Sequence, residues 1–355
     1  MKFRLVSPPW LMLALMVCMH AGQAATFCVD TSGELLAALN TAVVNTEDDE
    51  IRIKAGTYAN ASLGATAFSY TGFQSFAISI QGGWESFLQF DCFRSVDDPT
   101  ATVLSGSNVR RVLQLSGSQD ASGEMVIENL TLRDGNAVER GGGLRLQGIG
   151  FTGNVRIERV YFEGNVSDGL GGGASIFTQG LVTLRNNVFL GNRGNGVGAA
   201  VIHANFANAS NVRSFIGNNT VVANSCNPNP CATGGFFVFG TARASVYNNA
   251  FHANAGNDVQ FSGTSADLLF NNIRQYLGTP VNVSGNIDVD PMFEEPLAVD
   301  FRLKSASSLI DAGTSNLYSG LTDFVGAPRV NGAQIDIGAL ENTRTVFASS
   351  FETLQ

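Results

Sequence analysis

The sequence predicts an all-β chain wound as a parallel β-helix and closed at its start by a short helix. Three observations predict it: a phrase recurring about every 30 residues, 40 glycines and 25 phenylalanines without a collagen period, and one isolated helix-like stretch. The phrase is "RNNVFLGN" at 185–192, repeated as "GNNTVVAN" at 217–224, "YNNAFHAN" at 247–254 and, more loosely, "ERVYFEGN" at 158–165. Aligned, Ile157, Leu184, Ile216 and Val246 open each unit, and Phe162, Phe189, Val221 and Phe251 follow five residues later. Asn165, Asn192, Asn224 and Asn254 close the units, at successive offsets of 27, 32 and 30 residues. Ile127 through Leu132 to Asn136 fits one unit earlier with an extra residue, and "LFNNI" at 269–273 is a fading sixth copy.

Each unit is too strand-like for a helical repeat, because its segments are short, rich in Val, Ile and Phe, and broken by Gly and Asn every few residues. Stacked coils of three short strands satisfy this pattern, with equivalent residues about 4.8 Å apart along the axis. Phenylalanines then stack inside, and the asparagines at 136, 165, 192, 224 and 254 form a ladder at a turn, where their side chains bond backbone groups. The "GGG" triplets at 141–143 and 171–173, "GVGAA" at 196–200 and "GG" at 234–235 recur with the repeat, which reads as a turn without room for side chains. No Lys, Ser or Thr follows them in phosphate-loop order.

At the N-terminal end, "SGELLAALNTAVVN" at 32–45 has apolar residues at helical spacing and Thr31 or Ser32 as a possible cap. A helical lid there hides the edge of the first coil, which begins with the strand "EIRIKAGTY". Residues 1–24 read as a secretory signal: Lys2 and Arg4, the apolar run "LMLALMVCM", then small residues before Ala25. No later apolar run is long enough to span a bilayer. Cys28, Cys92, Cys226 and Cys231 remain, and the expected pairs are Cys28 with Cys92 and Cys226 with Cys231, in an oxidising compartment. The net charge of -9 becomes -11 without Lys2 and Arg4, which argues against nucleic acid or anionic lipid as a partner.

At this point the residues resemble known families. The F-x-x-N phrases "FEGN", "FLGN" and "FHAN" beside "GGG" resemble the repeat of polymorphic outer-membrane-protein passengers, which implies right-handed coils. The run "NIDVDPMFEEPLAVDFRLKSASSLIDAG" with "TDFVGAPRVNGAQIDIGALE", within 286–341, is similar to the choice-of-anchor Q domain of bacterial secreted β-helix proteins. The opening "ELLAALNTAVVNTEDDEIRIKAGTY" resembles the start of pectate-lyase-like chains. The chain is thereby divided into a signal (1–24), an N-terminal cap with the first coils (25–110), repeats (111–285), a closing segment (286–341) and a tail (342–355). The passengers carry a C-terminal membrane barrel, and with 14 residues after Glu341 none is expected here. The tail "VFASSFETLQ" resembles short F-x-x-x-F-E endings on secreted proteins of this kind.

Catalysis has to be argued from a site and not from the scaffold. A uronate lyase needs a base beside an acidified carbon, commonly with Ca²⁺ held by several carboxylates, yet Asp134, Glu163 and Asp168 are scattered, and later units carry Leu190, Val222 and His252 in the column of Asp134 and Glu163. The Asn-Thr-Asp and Gly-His-Gly runs of pectin hydrolases are absent. His203 and His252 read as satisfied rings in turns, and Asp311, Arg329, Asp336 and Glu341 as residues that bond turns and close the last coils. One polar stripe remains: three residues past each ladder Asn stand Glu139, Asp168, Asn195, Asn227 and Asn257, with Arg140, Arg193 and Asp258 beside them. On a solenoid they line one edge and suit an extended glycan or a Ca²⁺ ion; otherwise they are solvated turn residues. The expectation is a secreted or cell-envelope module without catalytic residues, presenting a long face to polysaccharide or a cell-surface protein. The alternatives are a polysaccharide lyase or glycoside hydrolase, and a structural surface-layer component.

Overall fold

A computed structural model describes residues 24–343 apart from 62–63, 65–66, 74, 89, 149, 205–212, 229, 296–299 and 316–318. The signal segment before Ala24 and the tail from 344 lie outside the described residues. The chain winds as a parallel β-helix whose coils have four faces, one more than the repeat suggests. The first face includes Asp49–Lys54, Ile78–Phe87, the front halves of Met125–Arg133 and Val155–Glu163, then Val182–Arg185, Arg213–Gly217, Arg243–Tyr247 and Ala266–Leu269. The second face takes the back halves of the two long strands, with Gly56–Ala59, Thr102–Ser105, Val188–Leu190, Thr220–Val222 and Ala250–His252. The third is a row of two-residue strands, Asn136–Ala137, Val166–Ser167, Arg193–Gly194 and Ser225–Cys226. The fourth runs from Phe68–Gly72 through Leu113–Gly117, Leu144–Gln147, Ala174–Thr178, Ala200–Ala204, Thr233–Phe239 and Asn257–Ser262 to Tyr276–Leu277.

The aligned columns are physical neighbours. Ile157 pairs with Leu184, Leu184 with Ile216 and Ile216 with Val246, and all are fully buried. Phe162 and Phe189 stack with ring centroids 4.4 Å apart, and Phe236 and Phe251 continue the aromatic core edge-on. Each two-residue phrase divides its labour at a corner. In "NN", Asn186, Asn218 and Asn248 take left-handed φ of 53–55°, and the second asparagines, Asn187, Asn219 and Asn249, point inward with no exposure. In the closing "GN" or "AN", Gly164, Gly191, Ala223 and Ala253 are left-handed, and Asn165, Asn192, Asn224 and Asn254 are buried.

There are therefore two asparagine ladders. Asn192 Oδ1 accepts from Asn165 N and Nδ2 at 3.1 and 3.0 Å, while Asn192 Nδ2 donates to the Phe162 carbonyl and to Asn224 Oδ1, each at 3.0 Å. The second ladder, Asn187–Asn219–Asn249–Asn271–Asn286, repeats this at the other corner. Asn136 is not part of either. Leu132 pairs with Phe162 and Arg133 with Glu163 without an inserted residue, so Gly135 faces Asn165 and gives its N–H to Asn165 Oδ1, while Asn136 is exposed beside Val166. The same register puts Arg133, not Asp134, in the column of Glu163. The glycine triplets turn where coils touch: Gly141 and Gly171 have φ of 73° and 71°, and a side chain at Gly142 would strike the Val166 carbonyl.

The helix Ser32–Val44 covers the first coil, with Thr31 Oγ1 accepting from Glu34 N at 3.2 Å and Leu35, Ala38, Leu39 and Ala42 buried. Cys28–Cys92 and Cys226–Cys231 are both bonded. The other end is not closed in the expected way. Tyr276, Leu277, Val281 and Val283 stay substantially exposed at the last coil, because the chain from Phe293 onward turns back along the outside of the second face. Phe293, Phe301, Leu309, Phe324, Ile337 and Leu340 pack there against Tyr161, Val188, Val222 and Ala250. Gly338 N donates to the Asn248 carbonyl, Ala339 N to Thr220 Oγ1, and Asn186 Nδ2 to the Thr322 carbonyl at 2.8–2.9 Å.

Candidate functional site

The residues expected to close the last coils instead hold this lateral segment together. Arg329, 1% exposed, pairs with Glu341 at 2.8 Å and donates to the carbonyls of Asp336, Gly338 and Ala339. Asp323 accepts from the N–H groups of Val325, Ala327 and Glu341, and Asp336 from those of Asp311 and Asn342. Burial pushes the Glu341 carboxyl up to about 8 and raises Asp323 and Asp336, while it lowers Arg329. These pairings of the buried cluster all run between protein groups of the segment, which fastens it.

The remaining three faces differ in charge. On the outer side of the first face, guanidinium and carboxylate alternate: Arg185 meets Glu158 at 2.7 Å, Arg159 meets Glu128 at 2.8 Å and also Asp97, and Arg156 lies 3.5–4.0 Å from Glu124, Glu128 and Glu158. Among the described residues, no group of three or more His, Cys, Asp or Glu is placed to hold a metal ion.

The polar stripe breaks into separate environments on the third face and the corner beyond it. Asp168 and Asn195 are exposed and one coil apart, but the register sets Val138, not Glu139, beside Asp168. Arg193 and Asn227 are exposed on the same edge. Asn257 already belongs to a strand of the fourth face, donating from Nδ2 to the Ala232 carbonyl at 2.7 Å. Asp258 is 2% exposed and ends the ladder, accepting from Asn254 Nδ2 and from the N–H groups of Arg274 and Gln275, and burial raises its carboxyl. Asp258 is thus a terminator inside the coil and not a surface ligand.

Glu139 and Arg140 are placed differently, at the edge of the fourth face. Strand alternation turns one row of that face outward, Thr71, Ser116, Gln147, Phe177, His203, Phe239 and Ser262, one residue per coil. The middle of the row is aromatic and half-buried: Phe177 to His203 is 5.0 Å between ring centroids, His203 to Phe239 is 4.4 Å, and Phe237 stacks on Phe239 at 4.9 Å. The Arg140 guanidinium lies 5.1 Å over the Phe177 ring. Between them opens a hollow of about 660 Å³ lined by Ser116, Ser118, Arg140, Arg145, Gln147 and Phe177. A neighbouring hollow of about 760 Å³ is lined by Arg110, Arg111, Asn136 and Glu139 among others. Arg111 separates the two, donating to the carbonyls of Gly141 and Arg140 and to Gln114 Oε1. Here an apolar platform and several convergent donors share one surface, the composition of a site for a polar ligand with flat apolar faces.

No family model matches the chain, and no curated protein matches it. Among solved structures it is similar to a pectate lyase, Pel9A, over 90% of this chain and 97% of that one, at 15% identity and a TM-score of 0.32. That likeness is too distant to bear on activity. Among the described residues no helix is long and apolar enough to cross a membrane, and the two disulfides are compatible with an oxidising compartment.

Proposed function

We propose that this protein is a secreted or cell-envelope module that binds polysaccharide along the fourth face without cleaving it. The observation that carries the reading is the outward row Gln147–Phe177–His203–Phe239 beside the Arg140 hollow. Sugar rings offer apolar faces to aromatic side chains and hydroxyls to Arg, Gln and Ser, and a row repeating about every 4.8 Å suits a polymer lying along the axis. The stripe residues Asp168, Arg193, Asn195 and Asn227 flank this face on the third. The signal-like residues 1–24 and the two disulfides support a location outside the cytoplasm.

The test is retention of the purified protein on a panel of neutral and acidic polysaccharides, with absorbance of unsaturated products recorded in parallel and Ca²⁺ present or absent. Retention that Phe177→Ala abolishes is the expected result; no retention on any polymer overturns the reading and favours a structural role. A second reading has its own observation, the gathering of Glu124, Glu128 and Glu158 around Arg156 on the first face. Product absorbance that Arg156→Ala removes would make the protein a lyase.

A further inference from the structure

The two hollows of the fourth face carry a charge unlike the rest of the chain. The protein as a whole is at -9, yet Arg110, Arg111, Arg140 and Arg145 line or divide these hollows, and among their described lining residues Glu139 is the only carboxylate. First-face arginines at 156, 159 and 185 each have a carboxylate partner, whereas among the described residues none pairs with Arg111 or Arg140. Arg111 spends its donors on neutral acceptors, and burial together with the neighbouring Arg145 charge lowers it to about 10. Arg145 does have a partner, but an unequal one: its side chain is 21% exposed, and that of Glu139 is 63% exposed and reaches in from the rim. An exposed rim carboxylate on a more deeply seated guanidinium is what an incoming anion displaces most readily.

We propose that the ligand of this face is an acidic glycan, its carboxylate or sulfate groups seated at Arg111, Arg140 and Arg145 and its following sugars laid on Phe177, His203 and Phe239. This rests on the polysaccharide-binding reading above and adds the class of sugar. The aromatic row explains why the ligand is a polymer and not a simple anion: the guanidinium ridge meets the row at Phe177, and the row continues for two further coils as the rings of His203 and Phe239. An acidic chain repels acidic polymers everywhere else, so binding of this kind requires a local positive site.

The experiment is calorimetric titration of the purified protein with polyglucuronate and with the same polymer after its carboxyls are reduced to alcohols, and with dextran sulfate against dextran. The charged member of each effective pair is expected to bind at least about tenfold more tightly, and which pair responds separates carboxylate from sulfate. Arg140→Gln is expected to weaken acidic-polymer binding about five- to tenfold, and Glu139→Gln to strengthen it severalfold by releasing Arg145. Both positions are exposed, so neither substitution endangers folding. Equal affinity for charged and neutral polymers overturns the acidic-glycan inference while leaving polysaccharide binding intact. Acidic binding that ignores both substitutions overturns the site, and no binding of any polymer overturns this inference and the reading beneath it together.

Discussion

The second and fourth faces are made by the same repeat and end in opposite states. Both turn apolar side chains outward: Tyr161, Val188 and Ala250 on the second, Phe177, His203 and Phe239 on the fourth. On the second the row is buried under the chain that follows the last coil, where Tyr161, Val188 and Ala250 belong to one apolar cluster with Phe293, Phe324 and Ile337. On the fourth the rings stack along the row, remain half-buried and are flanked by arginines instead of by a second apolar layer. The difference teaches that outward aromatics on a β-helix acquire functional meaning only after the chain's own covering segments are placed.

The strongest way to break the comparison is to unfasten the cover. Arg329→Met removes the one cation from a buried set containing Asp323, Asp336 and Glu341 and leaves three carbonyls without their donor. It is expected to cost about 3–5 kcal/mol, read from urea denaturation, and to raise binding of a hydrophobic dye as the second face is exposed. Loss of stability without dye binding would mean that the segment is held by its apolar contacts alone. A smaller loss is expected inside the coil. Asn192→Ala strands the amide of Asn165 and the Phe162 carbonyl and should cost about 2–3 kcal/mol by the same measurement. Asn136→Ala, at an exposed position off the ladder, should stay within about 0.5 kcal/mol.

That pair of variants marks how far the sequence was legible. The inward columns were readable because core volume repeats: Ile157, Leu184, Ile216 and Val246, with Phe162 and Phe189, align whatever the loops do. The ladder through Asn192 was readable for the same reason, and the error at Asn136 arose because a glycine, Gly135, fills its place in that coil and an adjacent Asn mimicked it. The other ladder was visible as the first half of every phrase, but two adjacent asparagines read as one signal when one sets a left-handed corner and the other is buried. The fourth-face row was hidden because the loops between its members differ in length, so Gln147, Phe177, His203 and Phe239 fall at no fixed period. The lateral course of 293–341 depends on contacts such as Asn186 with Thr322, more than 130 residues apart, which no local pattern encodes.

A gentler test of the sealed face uses pH. Glu341 has its carboxyl raised from 4.5 to about 8, chiefly by burial, so the folded state holds its proton more tightly than the unfolded chain. The stability this contributes is complete below about 4.5 and is lost as the pH rises through about 8. Asp323 and Asp336 are raised by burial as well and act in the same direction. The denaturation midpoint is expected to fall across that window, and Glu341→Gln, which titrates nowhere in it, is expected to flatten the decline. A midpoint that rises from pH 5 to 8 in the unaltered protein and is unaffected by Glu341→Gln would show that other groups govern its acid response.

The smallest expected effect separates the first face from the fourth. Arg156→Ala leaves Glu124, Glu128 and Glu158 facing one another without their central cation, although Arg159 and Arg185 still reach two of them; partial exposure and screening limit the loss to about 1 kcal/mol. Arg140→Ala breaks no ion pair and uncovers only part of the Phe177 ring, so its cost should be near 0.5 kcal/mol or less. The first face therefore uses its arginines to hold adjacent coils in register, and the fourth leaves Arg140 without such a task. Equal losses in the two variants, measured by denaturation at low and at 0.5 M salt, would assign Arg140 to the scaffold; a salt-sensitive loss confined to Arg156→Ala leaves Arg140 available to a ligand.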